Sequence, residues 1–162
     1  MKKFYILAAL LLVSVSAAFA QDGRSLYNKY SDADNVEAVY ISPAMFRLIG
    51  KIPDIQMEGE SVNLGPIIKS LSGLYILTIN EETLGADLQA DVDRFVKKGH
   101  YELLMEAKEN GEVTRMYTVG NETTVNSFVL LARDGSETSF ICLDGSIPRD
   151  RLEELIAEAA KD

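Results

Sequence analysis

The sequence has 162 residues and a mass of 17.9 kDa, which is the size of one ordinary domain. Hydrophobic residues make up 47% and charged residues 25%, and this composition excludes a wholly disordered chain, a collagen and a coiled coil. The net charge of −9 argues against nucleic acids and anionic membrane surfaces as partners, because both select for Lys and Arg.

The first twenty residues are typical of a cleavable signal peptide. Lys2-Lys3 precedes an apolar run from Phe4 to Val15, and Ala18-Phe19-Ala20 fits the A-x-A pattern of signal peptidase sites. The run is shorter than the roughly 20 residues that a membrane span requires. We therefore expect cleavage between Ala20 and Gln21, export to the periplasm, and a mature protein that does not span the membrane. An N-terminal anchor that is not cleaved is the alternative.

Residues 21–162 are expected to form a single globular domain of net charge −11, because removal of two lysines lowers the total of −9 by two. Its first half predicts helices and two strands. Ser42-Pro43 is typical of a helix N-terminus, and Leu74–Ile79 is apolar on both faces, as in a central strand. In chain order, we predict a helix near 26–30, a strand at 36–41, helices from 43 to 52 and from 65 to 73, a strand at 74–79 and a helix at 87–98.

The second half predicts a meander of four strands. Asn110-Gly111 and Asp134-Gly135 are typical of tight turns, and the short connections require antiparallel neighbours. The predicted strands cover 101–107, 113–119, 125–132 and 138–143, and a C-terminal helix begins near Pro148. Alternation along the first of these strands predicts one face that contains Tyr101, Leu103, Met105 and Ala107.

Together these elements predict an α+β domain. It contains a mixed or largely antiparallel sheet of about six strands, with helices packed mainly on one face. The other face is expected to be partly polar, because polar residues recur in the predicted strands. The candidates for its polar side chains are Glu102, Glu106, Thr114, Thr118 and Asn126.

His100 and Cys142 are the only residues of their types, so an internal disulfide and a zinc site with several such ligands are excluded. A general base or metal ligand is one interpretation of His100. No motif nearby supplies a nucleophile and an orienting carboxylate, so we expect a polar residue at a helix-to-strand corner. Cys142 lies in an apolar strand, which favours a buried structural thiol over a nucleophile.

Acidic residues around the helix at 87–98 are further candidates. Asp87 and Asp91 lie four residues apart, with Glu81-Glu82 and Asp93 nearby, and paired carboxylates can bind a divalent cation or transfer protons. We favour a solvated acidic face, and we predict no catalytic residue, no metal site and no cofactor. Five aromatic residues either line a ligand cavity or belong to the core: Tyr75, Tyr101, Tyr117, Phe128 and Phe140.

Three parts of the chain carry a family resemblance. They are Leu26–Tyr30 with Val36–Phe46, Tyr101–Glu109 with the strand that follows, and Gly145–Ile147 before the last helix. In these parts the chain resembles a family of small exported Bacteroidota proteins, catalogued as domain of unknown function 4252. The resemblance implies export in a Gram-negative cell and a link to envelope signalling, since members often look like envelope proteins encoded near sigma and anti-sigma factors. It implies no catalytic residues.

The sequence therefore favours an exported, non-enzymatic protein that binds a protein or another component of the envelope. The absence of catalytic motifs supports this hypothesis, as does the open face or edge that such a sheet offers to a partner. The alternative is a periplasmic carrier of a small molecule or metal, or a hydrolase without a recognised motif. Either of these requires a concave pocket with converging polar groups.

Overall fold

Six antiparallel strands form one open sheet in the computed structural model, which describes residues 23–49 and 65–159. The strands are β1 (Val36–Ile41), β2 (Leu71–Ile79), β3 (Glu102–Glu109), β4 (Glu112–Gly120), β5 (Thr124–Asp134) and β6 (Glu137–Pro148). The helices are α1 (Gly23–Tyr30), α2 (Pro43–Ile49), α3 (Gly65–Ser70), α4 (Glu82–Lys98) and α5 (Arg149–Ala159). The strand order is β1-β2-β6-β5-β4-β3. The predicted α+β fold, with its six-stranded antiparallel sheet and C-terminal meander, is confirmed.

Helices α1 and α4 pack on one face of the sheet, which is named the helix face. They bury their apolar sides against alternate side chains of β2, β5 and β6. The buried residues are Leu26 and Tyr30 of α1, Leu88, Val92, Phe95 and Val96 of α4, and Tyr75, Leu77, Ile79, Val129, Leu131, Phe140 and Cys142 of the strands. Burial of one Leu, Val or Phe side chain contributes about 1.5–3 kcal/mol, so this layer is the main source of stability.

The three other helices lie beside β2 and β6. Helix α2 contacts β2 and α3, whereas α3 and α5 contact β6 and each other. Ser42 caps α2 as predicted, since its Oγ accepts a hydrogen bond from the backbone N–H of Met45 at 3.3 Å. Phe46 is the buried residue of this helix. No helix in the described part of the chain is long and apolar enough to cross a membrane.

Helix α4 begins at Glu82, earlier than the predicted start at 87. The carboxylate of Glu81 accepts the backbone N–H of Leu84 at 2.7 Å and that of Thr83 at 2.8 Å, and these bonds cap the helix. The same hydrogen bonds, first from Leu84 and then from Thr83, lower the pKa of Glu81. Apolar periodicity misses this start because the capping residue and most of the first turn are polar.

The boundary between α3 and β2 also differs from the prediction. Leu71 and Gly73, expected at the end of a helix, lie in β2 and pair with Gly145 and Asp144 of β6. Pairing with β6 satisfies backbone groups that a free helix end would leave without partners, so the ladder prevails over the helical spacing. Strands β4, β5 and β6 extend beyond both predicted ends for the same reason, whereas β3 begins one residue after its predicted start and extends beyond its predicted end.

A bulge in β3 changes which of its residues share a face. Leu103 pairs with Tyr117, but Met105 pairs with Met116, so Leu104 is the extra residue. Leu103 therefore lies on the helix face with Tyr117, and Met105 lies on the opposite face. The prediction of one common face for Leu103 and Met105 is wrong, because strict alternation holds only where each residue has one partner.

Candidate functional site

The predicted cleavage site between Ala20 and Gln21 lies outside the described residues. His100 lies in the turn between α4 and β3, which is the corner that the sequence predicts. It is exposed, its φ angle is 56°, and its backbone N–H donates to the carbonyl of Lys97. Its side chain borders a cleft of about 390 Å³, together with Glu102 and Arg149.

Cys142 is fully buried in β6, as expected for a structural thiol. Its Sγ lies 3.6 Å from Oγ of Ser127 and 3.4 Å from Oδ1 of Asp144. Gly23, the first residue of α1, packs directly against this thiol, because a Cβ atom at Gly23 would collide with the sulfur. The backbone N–H of Gly23 also donates to Asp144 at 3.3 Å. The thiol therefore contributes to packing between α1 and the sheet.

Asp87 and Asp91 do not share a solvated face. Asp87 is exposed, whereas only 9% of Asp91 is accessible. The carboxylate of Asp91 accepts a hydrogen bond from the Tyr30 hydroxyl at 2.5 Å, and it also binds Lys29 and Arg94. The predicted acidic face is thus wrong at Asp91, because this carboxylate joins α4 to α1.

The protonation states of Asp91 and Tyr30 suit their hydrogen bond. Burial alone would raise the pKa of Asp91, but hydrogen bonds from Lys29, Tyr30 and Arg94 outweigh burial and hold it below its ordinary value. Burial and then the hydrogen bond to Asp91 raise the pKa of Tyr30. At neutral pH the carboxylate accepts and the hydroxyl donates, which gives the cluster a structural role. Within the described residues, no three His, Cys, Asp or Glu side chains are placed to hold a metal ion.

A cleft of about 710 Å³ lies beside the beginning of α1, and Tyr40, Tyr75 and Tyr101 are among the residues that line it. Tyr75 and Tyr101 therefore border a cavity, which is one of the two roles that the sequence allows for them. Tyr40 and Tyr75 stack with their ring centres 5.2 Å apart, and the Arg24 guanidinium lies 5.4 Å from the centre of the Tyr40 ring. Tyr101 also borders the cleft, as do Lys98, Ser127 and Asp144. Such a surface suits a ligand that combines an apolar or planar part with polar groups.

The face opposite the helix face, named the second face, carries one apolar side chain from each strand in a single line. Val39 of β1 pairs with Ile76, and the register continues without a break to Met105 of β3. These six residues are named the apolar row: Val39, Ile76, Ile141, Leu130, Met116 and Met105. The four central members are half-buried, whereas Val39 is 48% and Met105 is 41% exposed.

Every charged side chain that the six strands place on the second face is acidic. Register and alternation give six such residues, named the acidic rim: Glu37, Glu102, Glu109, Glu112, Asp134 and Glu137. The strand cations Lys108, Arg115 and Arg133 lie on the helix face instead. Arg115 lies 3.7 Å from Asp93 of α4, and Arg133 donates to Gln89 of the same helix at 3.1 Å. All cations of the strands therefore lie on the helix face, and the charged side chains of the second face are carboxylates alone.

The predicted polar side chains of the second face are partly right. Glu102, Thr114 and Thr118 lie there, but Glu106 lies on the helix face, where its carboxylate accepts a hydrogen bond from Arg115 at 2.7 Å. Asn126 lies at a bulge of β5. The apolar row cannot be recognised from patterns within single strands, because it depends on which strands are neighbours. The available signal was that several strands are apolar on both faces.

Residues 30–155 match the family described as domain of unknown function DUF4252. The chain belongs to this family. The DUF4252 match extends from Tyr30 at the end of α1 into α5, and it therefore includes all six strands and both surfaces of the sheet. No curated protein and no solved structure matches the chain.

Proposed function

We propose that this chain is an exported, non-enzymatic protein that binds another protein of the cell envelope through the second face of its sheet. The apolar row is the observation that carries the proposal. It crosses all six strands, its ends are exposed, and exposed Leu104 lies beside Met105 at one end. Contiguous apolar surface that remains accessible on a soluble domain is typical of sites that bind proteins.

Export and the envelope setting rest on the sequence. The positive residues, apolar run and A-x-A pattern of the first twenty residues support cleavage after Ala20, with Gln21 as the first residue of a periplasmic protein. The family resemblance supports a role near envelope sigma and anti-sigma signalling. The mass of the protein purified from the cells that make it tests the cleavage directly, because retention of the first twenty residues would contradict it.

Site-specific photocrosslinking in living cells tests the binding face. A photoreactive amino acid at position 39 or 105 is expected to crosslink the same envelope protein, because these two positions lie at opposite ends of the apolar row. Ala86 and Ala90 provide matched control positions, since both are exposed on α4 on the other side of the molecule. Crosslinks to that protein from the α4 positions alone, or to no protein from either end of the row, would overturn the proposal.

The cleft beside α1 supports a second candidate, a carrier of a small molecule. Its stacked tyrosines, its cations Arg24 and Lys98 and the carboxylate of Asp144 are the converging polar and aromatic groups that such a site needs. Native mass spectrometry of the protein from its own cells tests this candidate. A defined additional mass that disappears in Tyr40→Ala but persists in Met105→Ser would favour the carrier over the protein-binding role.

A further inference from the structure

We infer that the partner presents a basic amphipathic helix to the second face, with its apolar stripe on the apolar row and its Lys or Arg side chains toward the acidic rim. The inference rests on the proposed function, because it names the chemistry of the partner that this face binds. Three properties of the face support it: its shape, its spacing and its charge.

The apolar row has the length and the spacing of a helix. Neighbouring strands lie about 4.8 Å apart, so five intervals give a row of about 24 Å. A helix of this length has about 16 residues, and its pitch of about 5.4 Å brings one apolar turn close to each strand. Beside the row, a shorter line of half-buried apolar side chains widens this surface: Ile41, Leu74, Leu143 and Phe128.

Four members of the acidic rim lie at a constant distance from the row. Each of them stands four positions along its strand from a member of the row, which corresponds to about 13 Å. The pairs are Met105 with Glu109, Met116 with Glu112, Leu130 with Asp134, and Ile141 with Glu137. A helix with its side chains has a radius of about 5–6 Å, so the long side chains on its flank extend toward these carboxylates.

The rim is arranged at a cost to the isolated protein. Glu109 lies directly opposite Glu112, and Asp134 lies directly opposite Glu137, although like charges in these positions repel each other. None of these four carboxylates forms an ion pair within the described residues. Cations on a partner would relieve both repulsive pairs at once. We therefore expect the Lys or Arg side chains of the partner to lie at this end of the sheet.

Two other occupants of the face conflict with its charge. A second copy of the chain would bring a second set of carboxylates and no cations to this interface, and like charges across an interface suppress association. An anionic membrane surface would be repelled by the same carboxylates. A helix with an acidic polar face is disfavoured for the same reason.

Binding of synthetic peptides to the whole protein, purified from its own cells, tests the inference. The first peptide has about 18 residues, with Leu at helical i, i+3, i+4 spacing and Lys elsewhere. The second has the same composition in an order without an apolar stripe, and the third has Glu in place of Lys. We expect the amphipathic Lys peptide to bind at least about tenfold more tightly than either of the others, a difference that fluorescence anisotropy resolves. Equal binding of the two Lys peptides would overturn the inference.

Matched variants locate the binding. Met105→Ser is expected to weaken binding of the amphipathic Lys peptide by about fivefold or more. Leu103→Ser changes an exposed residue of the same strand on the opposite face, and it is expected to have little effect on binding. Glu112→Gln with Glu137→Gln should weaken binding and reduce its salt dependence. Glu82→Gln with Asp87→Asn removes the same charge from α4 and should leave binding unchanged. Equal effects of the two charge pairs would indicate attraction by net charge alone and would overturn the inference.

The crosslinking experiment separates this inference from the proposed function. If positions 39 and 105 crosslink an envelope protein whose crosslinked segment is not a basic helix, the inference fails and the proposed function stands. If these positions crosslink no protein, the proposed function fails, whatever the peptides do.

Discussion

At the scale of single residues, Asp91 joins α4 to α1 through its carboxylate. Its carboxylate accepts a hydrogen bond from the buried Tyr30 hydroxyl and forms ion pairs with Lys29 and Arg94. Replacement Asp91→Ala leaves that hydroxyl without its acceptor, so we expect the free energy of unfolding to fall by about 1–3 kcal/mol. Urea unfolding at neutral pH measures the change. Asp87→Ala, one turn away and exposed, is the control and is expected to change stability by about 0.5 kcal/mol or less. Equal losses would show that the buried hydrogen bonds contribute nothing.

The hydrogen-bonded pair of Asp91 and Tyr30 predicts how the free energy of unfolding depends on pH. The pKa of Asp91 in the folded protein lies below its ordinary value of 3.8, so its contribution is complete above that value and is lost as the pH falls through the lower folded-state pKa. The pKa of Tyr30 is raised above 10.0, so its contribution is complete below that value and is lost as the pH rises through the folded-state pKa. In Asp91→Asn, the free energy of unfolding should therefore decrease less steeply as the pH is lowered. In Tyr30→Phe, it should decrease less steeply as the pH is raised. An unchanged decrease at low pH in Asp91→Asn would refute this assignment.

At the scale of elements, the ends of two hairpins carry the repulsive pairs of the acidic rim. Neutralising one member of each pair, by Glu112→Gln and Glu137→Gln, removes repulsion between directly opposite carboxylates. We expect the free energy of unfolding to rise by about 0.5 kcal/mol or less for each pair, and to depend less on salt than in the parent. Thermal and urea unfolding measure both effects, with Glu122→Gln in the exposed turn after β4 as the control. A fall in stability would mean that these pairs are not a cost.

Features that depend on neighbouring residues in the sequence could be predicted, whereas features that depend on the pairing of strands could not. Asn110-Gly111 forms the expected turn with positive φ angles of 50° and 89°, because the residue types alone make that turn favourable. The bulge at Leu104 depends on how β3 meets β4, and nothing in the alternation of β3 reveals it. The bulge also explains why Glu106 lies on the helix face, opposite to the face that alternation predicts, because the extra residue reverses the faces of the residues that follow it.

At the scale of the whole molecule, the candidate binding face depends entirely on strand order. β2 lies between β1 and β6, and its contact with β6 joins Ile76 to Ile141, which are far apart in the sequence. Local patterns predict that both strands exist, but they do not choose partners across such a separation. The sequence gives the net charge of −9, but the concentration of carboxylates on the second face follows only from the register of the strands.

The acidic rim has a final consequence for the whole molecule, because most of it lies along one side of an apolar surface that would otherwise favour self-association. Neutralising the four carboxylates at the hairpin ends (Glu109, Glu112, Asp134 and Glu137) should allow two copies to meet through their apolar rows. Sedimentation velocity over a range of concentrations is expected to show a reversible dimer for this variant at low salt. Addition of Met105→Ser should reverse the change, since it removes an exposed end of the row.

A control variant decides whether the rim or the total charge keeps the copies apart. It neutralises four exposed acidic residues elsewhere: Asp32, Glu82, Asp87 and Glu122. The change in net charge is the same in both variants, so the control is expected to sediment as the parent protein does. If both variants associate to the same degree, repulsion between whole molecules is sufficient and the position of the rim is irrelevant. If only the rim variant associates, the carboxylates protect the row from a second copy while leaving it open to a partner of opposite charge.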